Sequence, residues 1–214
     1  MAQDKGSGNN MEDFNLIAKD FDTSRRVERA KLIADEIRSH ISAGHEKSTL
    51  EYGCGTGLVG FELINDFKSI TFADSSPAMI EQVKEKLRCL GKPANKALCC
   101  DFMVATPQNM KLDYIFSSLV FHHIGDTKVI MTHMYNILSN GGHLLVVDID
   151  TDDGSFHAKY PDFDGHNGFD QSALTKLAME VGFKKAETKT FYHGCKIING
   201  EERPYSLFIL DAVK

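Results

Sequence analysis

The chain alternates between short apolar segments and helical segments, and this alternation limits its fold more than any other feature of the sequence. The short apolar segments are Thr49–Tyr52, Ile70–Ala73, Ala97–Cys100, Tyr114–Phe116 and His143–Ile149. Amphipathic patterns with helical spacing lie between them, and the clearest has Pro77 at its first position and ends at Gly91. Strands that alternate with helices form βαβ units, so the sequence predicts a parallel sheet with helices on both faces.

The end of the chain departs from this alternation. Phe183–Ile198 and Pro204–Val213 are both strand-like, and only a short turn at Asn199-Gly200 separates them. Two consecutive strands joined by a tight turn must be antiparallel. We therefore expect an α/β, Rossmann-like fold in which a seven-stranded, mostly parallel sheet ends in a C-terminal antiparallel hairpin.

A helical cap is predicted ahead of this sheet. Apolar residues recur at helical spacing between Ala30 and Ile41, which is typical of a long amphipathic helix, and a shorter helix is expected around Asn15–Phe21. The first ten residues are polar and carry no apolar segment, so they resemble a flexible tail and not a signal peptide. The expected organisation is a tail at 1–10, a helical cap at 11–47 and a sheet domain at 48–214.

The composition disfavours several classes of function. The 214 residues include 24 Lys and Arg against 30 Asp and Glu, a formal charge of −6, so the chain gains no general attraction to polyanions. No apolar run approaches the roughly 20 residues that a membrane span needs. The five cysteines show no C-x-x-C spacing and are typical of reduced thiols in a cytosolic protein. We expect a cytoplasmic monomer or homodimer without nucleic-acid or membrane partners.

A glycine-rich loop joins the first predicted strand to the helix after it. Its glycines permit a tight turn and let a ligand approach the backbone closely. Gly55-x-Gly57-x-x-Gly60 fits the fingerprint of dinucleotide-binding proteins. Glu51-x-Gly53-x-Gly55-x-Gly57 resembles motif I of the class I S-adenosylmethionine-dependent methyltransferases. A glycine-rich turn without any ligand is the third interpretation.

Further residues extend the resemblance to the methyltransferases. Asp74 ends the second strand, where a carboxylate can bind both hydroxyls of a ribose in either ligand class. Asp101 ends the third strand, and the resemblance implies that it recognises the adenine amino group while Phe102 packs on the ring. The resemblance also implies that Glu51 helps to hold the methionine end of the cofactor.

Two later segments and the C-terminal hairpin also resemble this family. Asp113-x-Ile115 followed by His122-His123 looks like the family's "D-x-I" and "H-H" stretch, and Ile137–Asp148 looks like its "L-x-x-G-G-x-L" stretch. The resemblance spans residues 49–214 and implies S-adenosylmethionine as cofactor and S-adenosylhomocysteine as product. The residues it assigns to the cofactor are Glu51, Gly53, Cys54, Gly55, Gly57, Asp74, Ser75, Asp101, Phe102 and Ser117.

Methyl transfer is an in-line displacement that depends on alignment and on exclusion of water. It needs a general base only where the acceptor must lose a proton. The pair His122-His123 follows the fourth strand, next to the expected position of the methyl group, and is the predicted catalytic pair. The alternative is that one of the two packs inside and orients the loop.

The acceptor side is predicted from the segments that the family uses for it, the N-terminal helices and the connection after the fifth strand. The predicted acceptor residues are Phe14, Phe21, His157, Tyr160 and His166. The two phenylalanines have an alternative role in packing the helices onto the core. No metal site is predicted, because the spacing of the histidines matches no zinc motif.

The residues after the fourth strand restrict the substrate class. Enzymes that methylate DNA bases or glutamine amides carry an Asn/Asp-Pro-Pro-aromatic motif there, and cytosine-5 enzymes carry a Pro-Cys nucleophile; this chain has Ser117–Val120. The sequence therefore resembles small-molecule methyltransferases of the ubiquinone and menaquinone biosynthesis type. Two alternatives are a catalytically silent methyltransferase-like binding module and an NAD(P)-dependent oxidoreductase.

One pattern favours the oxidoreductase. Tyr192 and Lys196 have the Tyr-x-x-x-Lys spacing of the catalytic pair in short-chain dehydrogenases. That chemistry needs both groups on one turn of a helix, whereas the surrounding sequence predicts a strand. Four residues of strand separate the two positions by about 13 Å, at a rise of about 3.3 Å per residue.

Overall fold

A computed structural model of the chain describes residues 14–104, 110–158, 163–198 and 200–214. Within these ranges a single sheet contains seven strands: β1 (Ser48–Tyr52), β2 (Ser69–Asp74), β3 (Lys96–Cys99), β4 (Leu112–Ser118), β5 (Leu138–Ile149), β6 (Lys185–Ile198) and β7 (Glu201–Val213). Their order is β3-β2-β1-β4-β5-β7-β6. Strands β1 to β5 are parallel, and β7 is antiparallel to both β5 and β6. The predicted fold class of the sheet is confirmed.

Helices cover both faces of the sheet. They are α1 (Ser24–Ser39), α2 (Leu58–Glu62), α3 (Pro77–Leu90), α4 (Thr127–Ile137) and α5 (Gln171–Val181). Four of them begin with a side-chain cap that accepts a hydrogen bond from the first turn, as helix N-termini require: Thr23, Ser76, Asp126 and Asp170. As predicted, α3 ends at Gly91, which has a positive φ of 61°.

The core consists of two apolar clusters, one on each face of the sheet. Along β5, Leu144 and Val146 belong to the cluster that α4 and α5 cover, while Leu145 and Val147 belong to the one that α1, α2 and α3 cover. This alternation is the period-2 pattern of a strand. Because all four side chains are fully buried, β5 is a continuous apolar run, as expected for a strand covered on both faces.

The boundary between α4 and β5 differs from the sequence prediction. The apolar segment His143–Ile149 predicted that the strand begins at His143. Instead, α4 ends at Ile137 and β5 begins at Leu138, which pairs with Leu112. The N–H of Gly141 donates to the carbonyl of Lys214 at 2.8 Å, so contact with the chain terminus extends the strand.

The carboxyl ends of the parallel strands meet at one edge of the sheet. Tyr52 of β1 lies beside Ala73 of β2 and Ser117 of β4, so the loops after these three strands are neighbours. In open α/β sheets ligands bind at this edge. No helix in the described part of the chain is long and apolar enough to cross a membrane.

Candidate active site

The loop after β1 has a backbone that only glycine adopts easily. Gly53, Gly55 and Gly57 have positive φ angles of 66°, 53° and 82°. A Cβ atom on Gly53 would overlap the side chain of Val120, and one on Gly57 would lie 2.8 Å from the ring of Phe61. The loop therefore keeps its path only with glycine at these positions.

Glu51 is a buried acid beneath this loop, with 2% of its surface exposed. Its Oε1 atom accepts a hydrogen bond from the N–H of Gly60 at 3.3 Å, while its Oε2 atom has no partner among the described residues. Burial raises the pKa of this carboxyl group to about 8, although the Gly60 hydrogen bond acts in the opposite direction. A cationic group would compensate for this burial, so the site is suited to one.

Asp74, at the end of β2, closes the glycine loop from the opposite side. Its two oxygens accept hydrogen bonds from the N–H of Gly55 at 2.7 Å and from the N–H of Ser76 at 2.9 Å. Burial raises the pKa of Asp74, and the backbone hydrogen bonds oppose that shift. Each carboxylate oxygen can accept a second hydrogen bond, so the group keeps the capacity to bind ribose hydroxyls while it holds the loop. Ser75, beside it, is exposed.

Three of the predicted cofactor side chains are already engaged within the protein. Phe102 is fully buried and packs against Tyr52, with 5.3 Å between ring centroids. The buried Ser117 hydroxyl donates to the carbonyl of Tyr52 at 3.0 Å, and the Cys54 thiol donates to the carbonyl of Gly55. In this conformation the Phe102 ring faces the core, which does not favour contact with adenine. The packing of Phe102 on the adenine ring therefore stays a prediction. Asp101, next to Phe102, is partly exposed, and its Oδ1 atom accepts from the N–H of Met103.

The segment before α1 lies across the glycine loop. Residues 14–17 are helical and Ala18–Asp20 form a 3-10 turn. The Oδ1 atom of Asn15 accepts from the Ser76 hydroxyl at 2.7 Å, and Asp22 pairs with Lys86 at 2.8 Å. The ring of Phe21 lies 3.6 Å from the position of a Cβ on Gly55. The sequence did not indicate Asn15, Asp22 or Lys86, because no motif or spacing connects them.

Phe14 links this segment to the histidine pair. Its ring centroid lies 6.4 Å from that of Phe21 and 5.7 Å from that of His123, with both contacts edge-on. The two predicted acceptor phenylalanines therefore lie between the glycine loop and the histidines. Whether they contact an acceptor stays a prediction.

His122 is held by an acid at the end of the next strand. Its Nδ1 atom lies 2.6 Å from Oδ1 of Asp148, and its backbone N–H donates to Oδ2 at 3.2 Å. Both residues are almost completely buried. Because a carboxylate accepts hydrogen bonds, this contact places a ring proton on Nδ1. His122 is therefore packed inside the protein, which is the arrangement that was predicted from the sequence as the alternative to a catalytic role.

His123 and His157 complete a cluster of three imidazoles with His122. Ring centroids lie 4.2 Å apart for His122 and His123 and 4.9 Å apart for His122 and His157. Burial, followed by the proximity of the other histidines, lowers the pKa of His123 to about 3 and that of His157 to about 4. Both rings are therefore neutral at pH 7. Phe163 stacks on His157 with 3.7 Å between centroids.

His166 lies outside this cluster. Its Nε2 atom is 2.9 Å from the carbonyl of Ile124, and its backbone N–H donates to the carbonyl of His122 at 2.7 Å. These bonds fasten the connection after β5 to the turn that carries the histidine pair. Tyr160, the remaining predicted acceptor residue, lies outside the described residues.

Comparison with known proteins finds methyltransferases among the similar sequences. The sequence profile of a methyltransferase domain matches residues 50–144. The chain is 32% identical over 140 residues to malonyl-[acyl-carrier protein] O-methyltransferase 1 of Ilyobacter polytropus. This match covers 62% of this chain and 49% of that protein. The chain is 25% identical over 179 residues to an uncharacterised methyltransferase of Schizosaccharomyces pombe, and this match covers 75% of this chain and 62% of that protein.

Solved methyltransferases share the fold. Phosphoethanolamine N-methyltransferase 2 of Haemonchus contortus, in complex with phosphomonomethylethanolamine and S-adenosylhomocysteine, matches with a TM-score of 0.69 and 16% identity, over 86% of this chain and 52% of that chain. These matches support the predicted resemblance to the class I S-adenosylmethionine-dependent methyltransferases. The chain spans about half the length of the curated relatives it matches.

The site fits the cofactor of this family. S-adenosylmethionine carries an α-ammonium group, and the unpartnered, buried oxygen of Glu51 is an acceptor suited to a cation. The positive-φ glycines provide the close backbone approach that such a ligand needs.

Proposed function

We propose that the protein transfers a methyl group from S-adenosylmethionine to a small-molecule acceptor. The observation that carries the proposal is the buried carboxyl group of Glu51, with one unpartnered oxygen, beneath a loop of positive-φ glycines. A buried acid without a partner is costly, and binding of a cationic amine would offset that cost. Strand order and the C-terminal hairpin, which are those of the family, also support the proposal.

The bound cofactor would supply an activated methyl group on a sulfonium. Within this chain, Glu51 would hold the amine end and Asp74 would bind ribose hydroxyls while keeping the loop closed through Gly55. The partly exposed carboxylate of Asp101 would recognise the adenine amino group. The N-terminal segment, fastened by Asn15 and Asp22, would cover the cofactor and exclude water.

The acceptor would lie beyond the glycine loop, against an aromatic and uncharged surface. This surface contains Phe14, His123, His157 and Phe163, and both histidines are neutral at pH 7. The nearby cation, Lys196, lies over the ring of Phe156 and donates to its carbonyl. These contacts favour an acceptor with an aromatic or apolar body and an uncharged nucleophilic group. An unprotonated imidazole nitrogen would bind that group by accepting a hydrogen bond from it.

By their names, these matched proteins act on chemically different acceptors, malonyl-[acyl-carrier protein] and phosphoethanolamine. They therefore support methyl transfer without choosing an acceptor for this chain. The formal charge of −6 favours a small molecule over a nucleic acid.

Methyl transfer is tested by measuring S-adenosylhomocysteine formation with a panel of phenols, amines, thiols and carboxylic acids that share an aromatic body. We expect turnover of at least one uncharged acceptor, and none of tRNA or DNA. The His123→Gln variant should lose turnover but keep cofactor affinity, and the exposed His45→Gln variant is the matched control. Cofactor binding without turnover of any acceptor would instead favour the silent binding module.

A further inference from the structure

Three histidines converge from two separate parts of the chain. His122 and His123 lie on the 3-10 turn Phe121–His123 after β4, and His157 lies on the turn Ser155–His157 after β5. One ring nitrogen of each lies within 4.8 Å of the other two. We propose that His122, His123 and His157 bind one divalent transition-metal ion, with Zn²⁺ the best match to a set of three imidazoles.

His122 is prepared for this role by Asp148. The contact of 2.6 Å between Nδ1 and Oδ1 fixes a proton on Nδ1 and directs Nε2 away from the carboxylate. Metal-bound histidines almost always donate their other ring N–H to a carboxylate, a backbone carbonyl or water, and this partner orients the ring and increases its basicity. Asp148 also accepts from the backbone N–H of Ile149 at 2.8 Å, so the carboxylate itself is fixed.

Each of the other two histidines has one buried ring nitrogen without a hydrogen-bond partner in the described part of the chain. Nδ1 of His123 and Nδ1 of His157 are both buried and have no hydrogen-bond partner among the described residues. Only 6% of the surface of His157 is exposed. An unsatisfied buried polar atom destabilises the fold, and an ion bound by these two nitrogens would remove both penalties.

The charges around the cluster are compatible with a cation. The carboxylate of Asp148 acts on both His123 and His157, and that of Asp152 acts on His157, where Lys196 is an opposing positive charge.

The three imidazole rings would have to move slightly closer together to bind one ion. A Zn–N distance of about 2.0–2.1 Å places two nitrogens of a tetrahedral site roughly 3.4 Å apart, so the widest pair would approach by about 1.4 Å. Rotation of side chains on two short turns is sufficient for a movement of this size.

Three protein ligands leave a fourth position of a tetrahedral site open. In this chain that position would face Phe14, at the acceptor side of the glycine loop. With the ion bound, the metal and not an imidazole nitrogen would contact the acceptor's nucleophilic atom and would lower its pKa, a role that rests on the proposed function. Metal binding itself does not depend on it.

The test uses the tag-free full chain after treatment with a chelator and dialysis. We expect Zn²⁺ to bind with 1:1 stoichiometry in calorimetry and Co²⁺ to develop visible ligand-field bands typical of nitrogen ligands. His123→Gln and His157→Gln should each weaken Zn²⁺ binding by more than tenfold, and Asp148→Asn by about 10–100-fold. His45→Gln, which changes an exposed histidine, should bind like the wild type.

Two results would overturn the proposal. One is the absence of Co²⁺ bands in the wild-type protein, a measurement that needs no substitution and so does not depend on a variant that folds. The other is Zn²⁺ binding that His123→Gln and His157→Gln leave unchanged, which would place the ion elsewhere. Calorimetry with S-adenosylhomocysteine on the same samples separates failure of the metal site from failure of the proposed methyltransferase function.

Discussion

The N–H of Gly60 donates to Oε1 of Glu51 at 3.3 Å, and a side chain on Gly60 would overlap Oε2 of the same carboxyl group. The glycine thus makes room for a buried acid whose second oxygen stays free. Gly60 is also the last glycine of the dinucleotide-type pattern in the sequence. Its role here is to accommodate a carboxylate, which the spacing alone does not reveal.

Gly60→Ala should displace Glu51 and weaken cofactor binding. Overpacking of a closed site costs typically about 1–3 kcal/mol, so chemical denaturation should show a loss of that order, and calorimetry should show weaker S-adenosylmethionine binding. Gly125→Ala is the control, since a Cβ there would meet nothing within 4 Å. Equal affinity in the two variants would contradict this account of Gly60.

Glu51 should make the apo protein less stable as the pH rises. Its pKa is about 8 in the folded state against 4.5 for the free group, so the folded chain binds the extra proton between these values. The contribution of this proton to the free energy of unfolding is complete below pH 4.5. It is lost as the pH rises to about 8, by up to about 1.4 kcal/mol per pH unit. Glu51→Gln lacks this titration.

This pH effect is measured as the difference in unfolding free energy between the wild type and Glu51→Gln across that range. Because all other titrating groups are shared, the difference should change steadily in favour of the variant with rising pH. A difference that is independent of pH would show that Glu51 does not carry the raised pKa.

Asp74→Ala and Asp101→Ala should each weaken cofactor binding. Each variant removes a charge-assisted hydrogen bond worth roughly 1.5–3 kcal/mol, or about 10–150-fold in affinity. Asp74→Ala also releases the N–H of Gly55, so it should have the larger effect. Asp35→Ala, on the exposed face of α1, is the control. Unchanged affinity in both variants would refute the assignment of the cofactor residues.

The N-terminal segment should control how fast the cofactor leaves. Asn15→Ala removes the acceptor for the Ser76 hydroxyl, and Asp22→Ala removes the ion pair with Lys86. Each hydrogen bond is worth about 0.5–1.5 kcal/mol, so stopped-flow release of S-adenosylhomocysteine should become about two- to tenfold faster. Asp20→Ala, at an exposed position of the same segment, should release it at the wild-type rate. Uniform rates across all variants would exclude a covering role.

The fold was predictable because its strands and helices each show their own period, and because Asn199-Gly200 joins two strand-like segments. The cofactor loop was predictable for a similar reason: Glu51, Gly53, Gly55 and Gly57 are close in sequence, so their spacing records their geometry. The start of β5 was not predictable from the sequence, since Leu138 pairs with a residue of another strand.

The histidine cluster shows where sequence reasoning ends. His122 and His157 meet only because the turns after β4 and β5 open at the same edge of the sheet, and no local spacing reports that proximity. For the same reason the sequence predicted no metal site. Asn15 and Ser76 are likewise distant in sequence and meet only in the folded chain.

Whether Glu51 binds the cofactor is decided by calorimetric titration of the apo protein with S-adenosylmethionine, for the wild type and Glu51→Gln. We expect one bound cofactor per chain in the wild type and an affinity at least about tenfold lower in the variant, from loss of a charged hydrogen bond. No binding to folded wild-type protein at millimolar cofactor, or equal affinity in the two proteins, would contradict it.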